Sequence, residues 1–183
     1  RAAPITTEDP LVHAYGLEFK DPEFNEVTQL LHQQFQHIHR SYDHKIRKRE
    51  SDSPVLRDSP ATVTHELRLL YWTADECSAL VITRTKRRLA AKTSIALKSI
   101  HLRRDTEGRW KSYNPIPSGI DATAFREAIR EALNSQDASG DFFAERYPNP
   151  LTPEAQNSYI PLKVGNHLYL LFEPYTVAAS RAP

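Results

Sequence analysis

A chain of 183 residues with 39% hydrophobic side chains carries enough apolar material for one domain-sized core. Lys and Arg total 24 against 23 Asp and Glu, a formal charge of +1, which excludes a whole-molecule polycation built to hold nucleic acid and leaves only local patches for charge-driven binding. Cys77 stands alone, which excludes an intramolecular disulfide, and no apolar run approaches the roughly 20 residues that cross a bilayer.

In chain order, residues 1–20 read as an extended N-terminal segment and 21–183 as a single α+β core. Asp21-Pro22-Glu23 has the chemistry of a helix start: a capping carboxylate, a proline whose missing N–H costs nothing in the first turn, and an acid favoured by the dipole. Phe24, Val27, Leu31, Phe35, Ile38, Tyr42 and Ile46 then recur at spacings of three and four, one apolar stripe along a helix of roughly 40 Å. The basic run Lys45, Arg47, Lys48, Arg49 suits the helix C-terminus, and a Ser/Asp/Pro-rich loop is expected over 50–61.

From Thr62 the period changes to two. Val63, Leu67, Leu69 and Tyr71 alternate with Thr64, Glu66 and Arg68, which predicts a half-buried strand ending at Trp72. A short connection, Thr73 to Glu76, leads to a second strand over 77–86, with Leu80 and Ile82 facing opposite to Ala79 and Val81. A third strand over 93–104, the turn Asp105-Thr106-Glu107-Gly108 and a short fourth strand over 109–113 complete an antiparallel meander. Asp121 is placed to cap a second helix whose Phe125, Ala128, Ile129, Ala132 and Leu133 form a stripe expected to pack on the sheet. Residues 134–156 are polar and proline-broken, anchored by Phe142, Phe143 and Tyr147. Strands over 159–164 and 167–172 flank Gly165-Asn166 as a C-terminal hairpin.

Four histidines on the first helix, His32, His37, His39 and His44, invite a metal reading, with Asp43 and Tyr42 beside them. Their mutual spacing argues against it: His32 and His39, like His37 and His44, stand seven residues apart, about 10 Å along the axis. They are expected to be solvated or to flank the stripe, and no metal or cofactor is assigned. His65 and His101 sit on strands, where sequence neighbours face opposite sides, and read as buried hydrogen-bonded histidines; Cys77 reads as a small core residue. No HExxH, GxSxG, Walker or GxGxxG motif occurs, and five glycines leave little for a phosphate cradle. Two basic runs remain, Lys45 to Arg49 and Arg84-Thr85-Lys86-Arg87-Arg88, neither interleaved with the aromatics that stack bases.

The order of long helix and strand pair, with Ser78-Ala79-Leu80-Val81-Ile82-Thr83, Lys98-Ser99-Ile100-His101-Leu102 and Asp105-Thr106-Glu107-Gly108-Arg109, resembles the RsiV/PdaC-like extracytoplasmic domain. So does the ending His167-Leu168-Tyr169-Leu170-Leu171-Phe172-Glu173-Pro174-Tyr175-Thr176-Val177-Ala178, similar to that family's closing "F-x-P-Y-x-[IV]-A" signature. Members include the ectodomain of an anti-sigma factor that binds lysozyme, accessory domains of peptidoglycan deacetylases and secreted antigens. This sequence departs from the family where Arg88-Leu89-Ala90-Ala91-Lys92 replaces a Gly-Gly-Ala-His-like segment.

The resemblance implies a binding or sensing module outside the cytoplasm, in the periplasm, at the cell surface or secreted, and the lack of a catalytic set and the second basic run make the expected module a non-enzymatic one that binds through that run. Its expected partner is a protein, such as a wall-degrading enzyme, or a cell-wall polymer, with Arg84, Lys86, Arg87 and Arg88 as contacts and no nucleic acid. The absence of methionine, initiator included, fits a start inside a longer precursor, one with room for a membrane anchor. Two alternatives stay open: a hydrolase or transferase fragment using His65, His101 or Cys77, and a cytosolic regulatory or nucleic-acid-binding domain using the basic helix end.

Overall fold

Alternating apolar and polar residues from Thr62 to Arg104 build the centre of a mainly antiparallel sheet of six strands. The computed structural model describes residues 2–19, 24–88, 90, 92–136 and 159–172. Its contacts group into two compact units, residues 1–113 and 114–183. The expected Asp21 cap, the aromatics Phe142, Phe143 and Tyr147, and the closing Glu173-Pro174-Tyr175 lie outside the described residues.

In the first unit the elements run β1 (Ala2–Ile5), β2 (Val12–Leu17), α1 (Asn25–Ser51), α2 (Pro54–Arg57), β3 (Thr62–Trp72), β4 (Glu76–Lys86), β5 (Ser94–Arg104) and β6 (Trp110–Ser112). The strands lie side by side in sequence order. β3, β4 and β5 fall within a residue of their expected bounds, and β3 ends at Trp72 as its alternation requires. His65 stands opposite Thr83 and Leu67 opposite Val81, with a bulge between Leu69 and Tyr71 that turns Leu70 outward. Thr73 closes the β3–β4 turn, its N–H donating to the Glu76 carbonyl at 2.8 Å. After β5, Asp105 Oδ1 accepts from the N–H groups of Glu107 and Arg109, both at 2.9 Å, and Gly108 takes the positive φ of 78° the turn needs.

The N-terminal segment is extended, as expected, but it is sheet rather than lead-in. β1 pairs antiparallel with β2, and β2 runs parallel to β3 with Val12 opposite Val63 and Ala14 opposite His65. The parallel step is possible because the 27-residue helix α1 lies between β2 and β3 in sequence and carries the chain back along one face of the sheet. That helix buries Val27, Leu31 and Phe35, which pack with Ala14, Leu67, Cys77, Ala79, Val81, Ile100, Leu102 and Trp110. Further along, Tyr42 and Ile46 cover a smaller cluster of Val12, Ala61 and Val63. The stripe is therefore continuous from Phe24 to Ile46. Where a plain loop is expected after Glu50, residues 54–57 form the single turn α2, begun by Pro54.

The second unit contains α3 (Ala122–Gln136) and the hairpin β7 (Ile160–Val164) and β8 (His167–Leu171). Asp121 caps α3 as its side chain suggests, Oδ1 accepting from the Ala124 N–H at 2.7 Å. The hairpin turns at Gly165, whose φ of 59° is in the left-handed region. Val164 pairs with His167 and Ile160 with Leu171.

Candidate functional site

The packing of α1 on β3 brings together groups that lie 22 residues apart in sequence. Asp43, on the edge of the α1 stripe, accepts from two histidines. Its Oδ1 lies 2.8 Å from His65 Nε2, and its Oδ2 lies 3.4 Å from His39 Nδ1, one helical turn earlier. His65 in turn has Nδ1 2.8 Å from the Thr83 hydroxyl on β4. His65 is fully buried and His39 nearly so, while the Asp43 side chain is 18% exposed and forms the outer edge of the group. Aromatic rings wall the site: Phe35 lies 5.4 Å from the His39 ring, and Tyr42 meets His65 edge-on at 5.8 Å while its hydroxyl reaches Thr85 at 3.0 Å.

The electrostatics follow from that arrangement. Burial pushes the Asp43 carboxyl up, but hydrogen bonds from His39 and His65, with the charge those rings can carry, outweigh it and hold the group below its ordinary value. The carboxylate is thus the stable form. Among the described residues, His39, Asp43 and His65 are the one group of three such donors whose ligand-capable atoms converge, all within 4.8 Å of one another.

The spacing of histidine to histidine is silent on this group. The pair that matters on α1 is His39 to Asp43, separated by four, which stacks the two side chains on one face. The third member comes from a strand whose inward alternation, Val63, His65, Leu67, marks His65 as facing the helix. His37 and His44 lie exposed on the far side of α1, as expected, and His32 Nε2 accepts from the Leu17 N–H at 3.1 Å.

The three groups nominated for hydrolytic chemistry are sealed. Cys77 is fully buried and burial pushes its thiol up to about 12. His101 is 5% exposed on the other face of the sheet, its ring 5.9 Å from Tyr113. His65 is enclosed as described, so none of the three lies in an open polar cleft.

The nominated basic loop divides into two kinds of residue. Arg87 turns inward, donating to Glu50 Oε1 at 2.8 Å and to the Ser59 carbonyl at 3.1 Å, and Arg84 pairs with Glu66 at 3.1 Å. Lys86 and Arg88 point to solvent. Glu50 also receives Arg47 at 2.7 Å and the Ala61 N–H at 2.8 Å. Arg47 reaches Asp9 at 2.7 Å as well, tying the end of α1 to the β1–β2 loop. This network places the last turn of α1 beside the end of β4, so the two basic runs of the sequence become one end of the first unit. Lys48, Arg49, Lys86 and Arg88 are exposed there and make no ion pair with a described residue, with the exposed Asp52 and Asp58 among them.

At the opposite end of the sheet, Phe24, Trp72 and Trp110 line a shallow cleft of about 520 Å³ beside Asp75 and Arg104. Phe24 meets Trp72 edge-on at 5.1 Å and Trp72 lies 5.6 Å from Trp110, so these rings seat the first turn of α1 against the sheet. No protein-family model matches the chain, and no curated protein matches it. None of the described helices is long and apolar enough to cross a membrane.

Proposed function

We propose that this chain is a non-enzymatic binding or sensing module that works outside the cytoplasm and recognises a partner presenting anionic groups, either a cell-wall polymer or a protein. One observation carries the reading: the Glu50–Arg87 pair joins two basic runs into a single cationic end and leaves Lys48, Arg49, Lys86 and Arg88 exposed. The likeness of the helix, meander and closing segments to the RsiV/PdaC-like domain supports the extracytoplasmic setting and the wall-associated partner. The sealing of Cys77, His65 and His101 speaks against the hydrolase alternative.

The test is capture of the full chain by purified peptidoglycan sacculi and by an immobilised muramidase at low and at moderate salt. Replacing Lys48, Arg49, Lys86 and Arg88 by Ala is expected to weaken capture about tenfold or more with Tm unchanged, since exposed cations contribute little to folding. Equal capture by the variant, or no capture by either target, would count against the proposal. Tight, steeply salt-dependent binding to DNA or RNA in place of both would transfer the cationic end to the nucleic-acid reading.

A further inference from the structure

We propose that His39, Asp43 and His65 form a binding site for a divalent transition-metal ion, with zinc the best fit. Two imidazoles and one carboxylate suit zinc and its late first-row neighbours and are a poor set for magnesium or calcium, which take oxygen ligands. Metal–ligand bonds of about 2.0–2.1 Å at tetrahedral angles put neighbouring ligand atoms roughly 3.3 Å apart. His39 Nδ1 and Asp43 Oδ2 already stand 3.4 Å apart. His65 Nε2 lies 2.8 Å from the other carboxylate oxygen, Oδ1, so one Asp43 oxygen comes to ligand distance of both rings only after the carboxylate turns. The widest separation among the three ligand atoms is within 4.8 Å, a distance that small rotations of His39 and Asp43 close.

The surroundings supply what a metal-binding histidine requires beyond its ligand atom. A neutral imidazole bound to metal through Nε2 must carry its proton on Nδ1 and donate it. The Thr83 hydroxyl lies 2.8 Å from His65 Nδ1 and is placed to accept that proton. Without metal, the same hydroxyl donates to Nδ1 while Nε2–H donates to Asp43. A hydroxyl serves both states by rotating, which a carbonyl oxygen or an amide N–H does not do. Phe35 and Tyr42 lower the local dielectric and strengthen the attraction between a dication and the Asp43 carboxylate. Asp43, the least buried of the three, is the route of entry and leaves the outer position to water. Three protein ligands with one open position is the coordination of reactive zinc sites, but here the ion would link α1 to β3 across the core edge.

The proposal predicts that cobalt(II), added to the full chain as a spectroscopic probe, gives the visible absorption of a tetrahedral or five-coordinate site. Zinc at about a hundredfold over its Kd raises Tm by roughly 5–10 °C. Asp43→Asn and His39→Gln each weaken zinc affinity at least tenfold, and Thr83→Val weakens it by about ten- to a hundredfold through loss of the proton acceptor. A double His37→Ala/His44→Ala variant, which removes the exposed helix histidines, keeps the cobalt spectrum. Circular dichroism establishes that each variant is folded, and should Asp43→Asn fail to fold, His39→Gln carries the test. A folded wild-type chain with neither cobalt absorption nor a zinc-dependent Tm shift at 100 µM metal overturns the proposal. So does a spectrum that survives His39→Gln or disappears with the His37/His44 variant.

Discussion

Arg87 donates from Nη1 to Glu50 Oε1 across 37 residues of sequence, and the bond lies under the surface rather than on it, with the glutamate side chain only 7% exposed. A stretch that reads as one uniform basic patch is therefore divided by a single rotamer choice into a structural arginine and its exposed neighbours. Arg87→Ala is expected to lower stability by about 1–3 kcal/mol, because it removes a charge-assisted bond and leaves part of Glu50 unpaired. Lys86→Ala and Arg88→Ala should each stay within about 0.5 kcal/mol of wild type. Urea midpoints of the three variants decide it, and equal midpoints would mean that the Glu50 pair is not holding the α1 end to β4.

The same network makes a pH prediction. Burial raises the Glu50 carboxyl, but the hydrogen bond from Arg47, the Ala61 N–H and Arg87 outweigh it and hold the group below its ordinary 4.5. A lowered folded value means that Glu50 contributes its stabilisation above the unfolded value and loses it as pH falls through the folded one. Stability should thus decline as pH falls below about 5. Glu50→Gln should cost about 2–3 kcal/mol at pH 7, where it removes the carboxylate that Arg47 and Arg87 share, and noticeably less at pH 3. Guanidinium titrations at the two pH values measure this, and a cost that does not shrink on acidification would rule Glu50 out as the titrating group.

Gly16 lies on β2 close against α1. A Cβ built there would stand 2.7 Å from Ile5 Cδ1 and 2.9 Å from His32 Nε2. The isoleucine tip can swing away, but the imidazole is held by the Leu17 N–H at 3.1 Å. Gly16→Ala is expected to cost about 1–3 kcal/mol, mostly by displacing His32. In a His32→Ala background the same substitution should cost at least about 1 kcal/mol less, a coupling that a double-mutant cycle reads directly. Additive costs would show that the ring is not the obstacle.

That contact also explains what the sequence conceals. β3, β4 and β5 are legible because their inward positions carry Val, Leu, Ile and Ala against Thr, Glu, Arg and Lys, so a period of two stands out. In β2 the inward positions are Val12, Ala14 and Gly16, small because α1 lies on them, while Tyr15 faces outward at 40% exposure. The alternation is present but its hydrophobic contrast is inverted, and no local signal announces a parallel partner 51 residues away. The His39–Asp43–His65 group is hidden for a related reason. Half of it is an ordinary one-turn spacing on a helix crowded with other histidines, and the other half depends on the register that sets His65 opposite Thr83. Glu50 reads as the polar edge of a loop because nothing in the sequence foretells that Arg47, Arg87 and the Ala61 N–H converge on it.

Cys77 gives the sharpest check on the packing of the sheet under α1. It is fully buried opposite Leu102, with its thiol pushed up to about 12 by burial, so the thiolate that attacks disulfide reagents is scarce at neutral pH and sterically shielded. In native protein at pH 8 it should not react with a chromogenic disulfide over hours, and urea should unmask it in step with global unfolding. Cys77→Ala should cost about 1 kcal/mol and Cys77→Ser more, about 2 kcal/mol, because a hydroxyl at that position is buried among Ala79, Ile100 and Leu102. If the thiol instead reacts rapidly in the folded chain, α1 opens from the sheet without unfolding. Such opening would part the His39–Asp43–His65 group at the same time, since His39 and Asp43 ride on that helix and His65 lies on the strand beneath it.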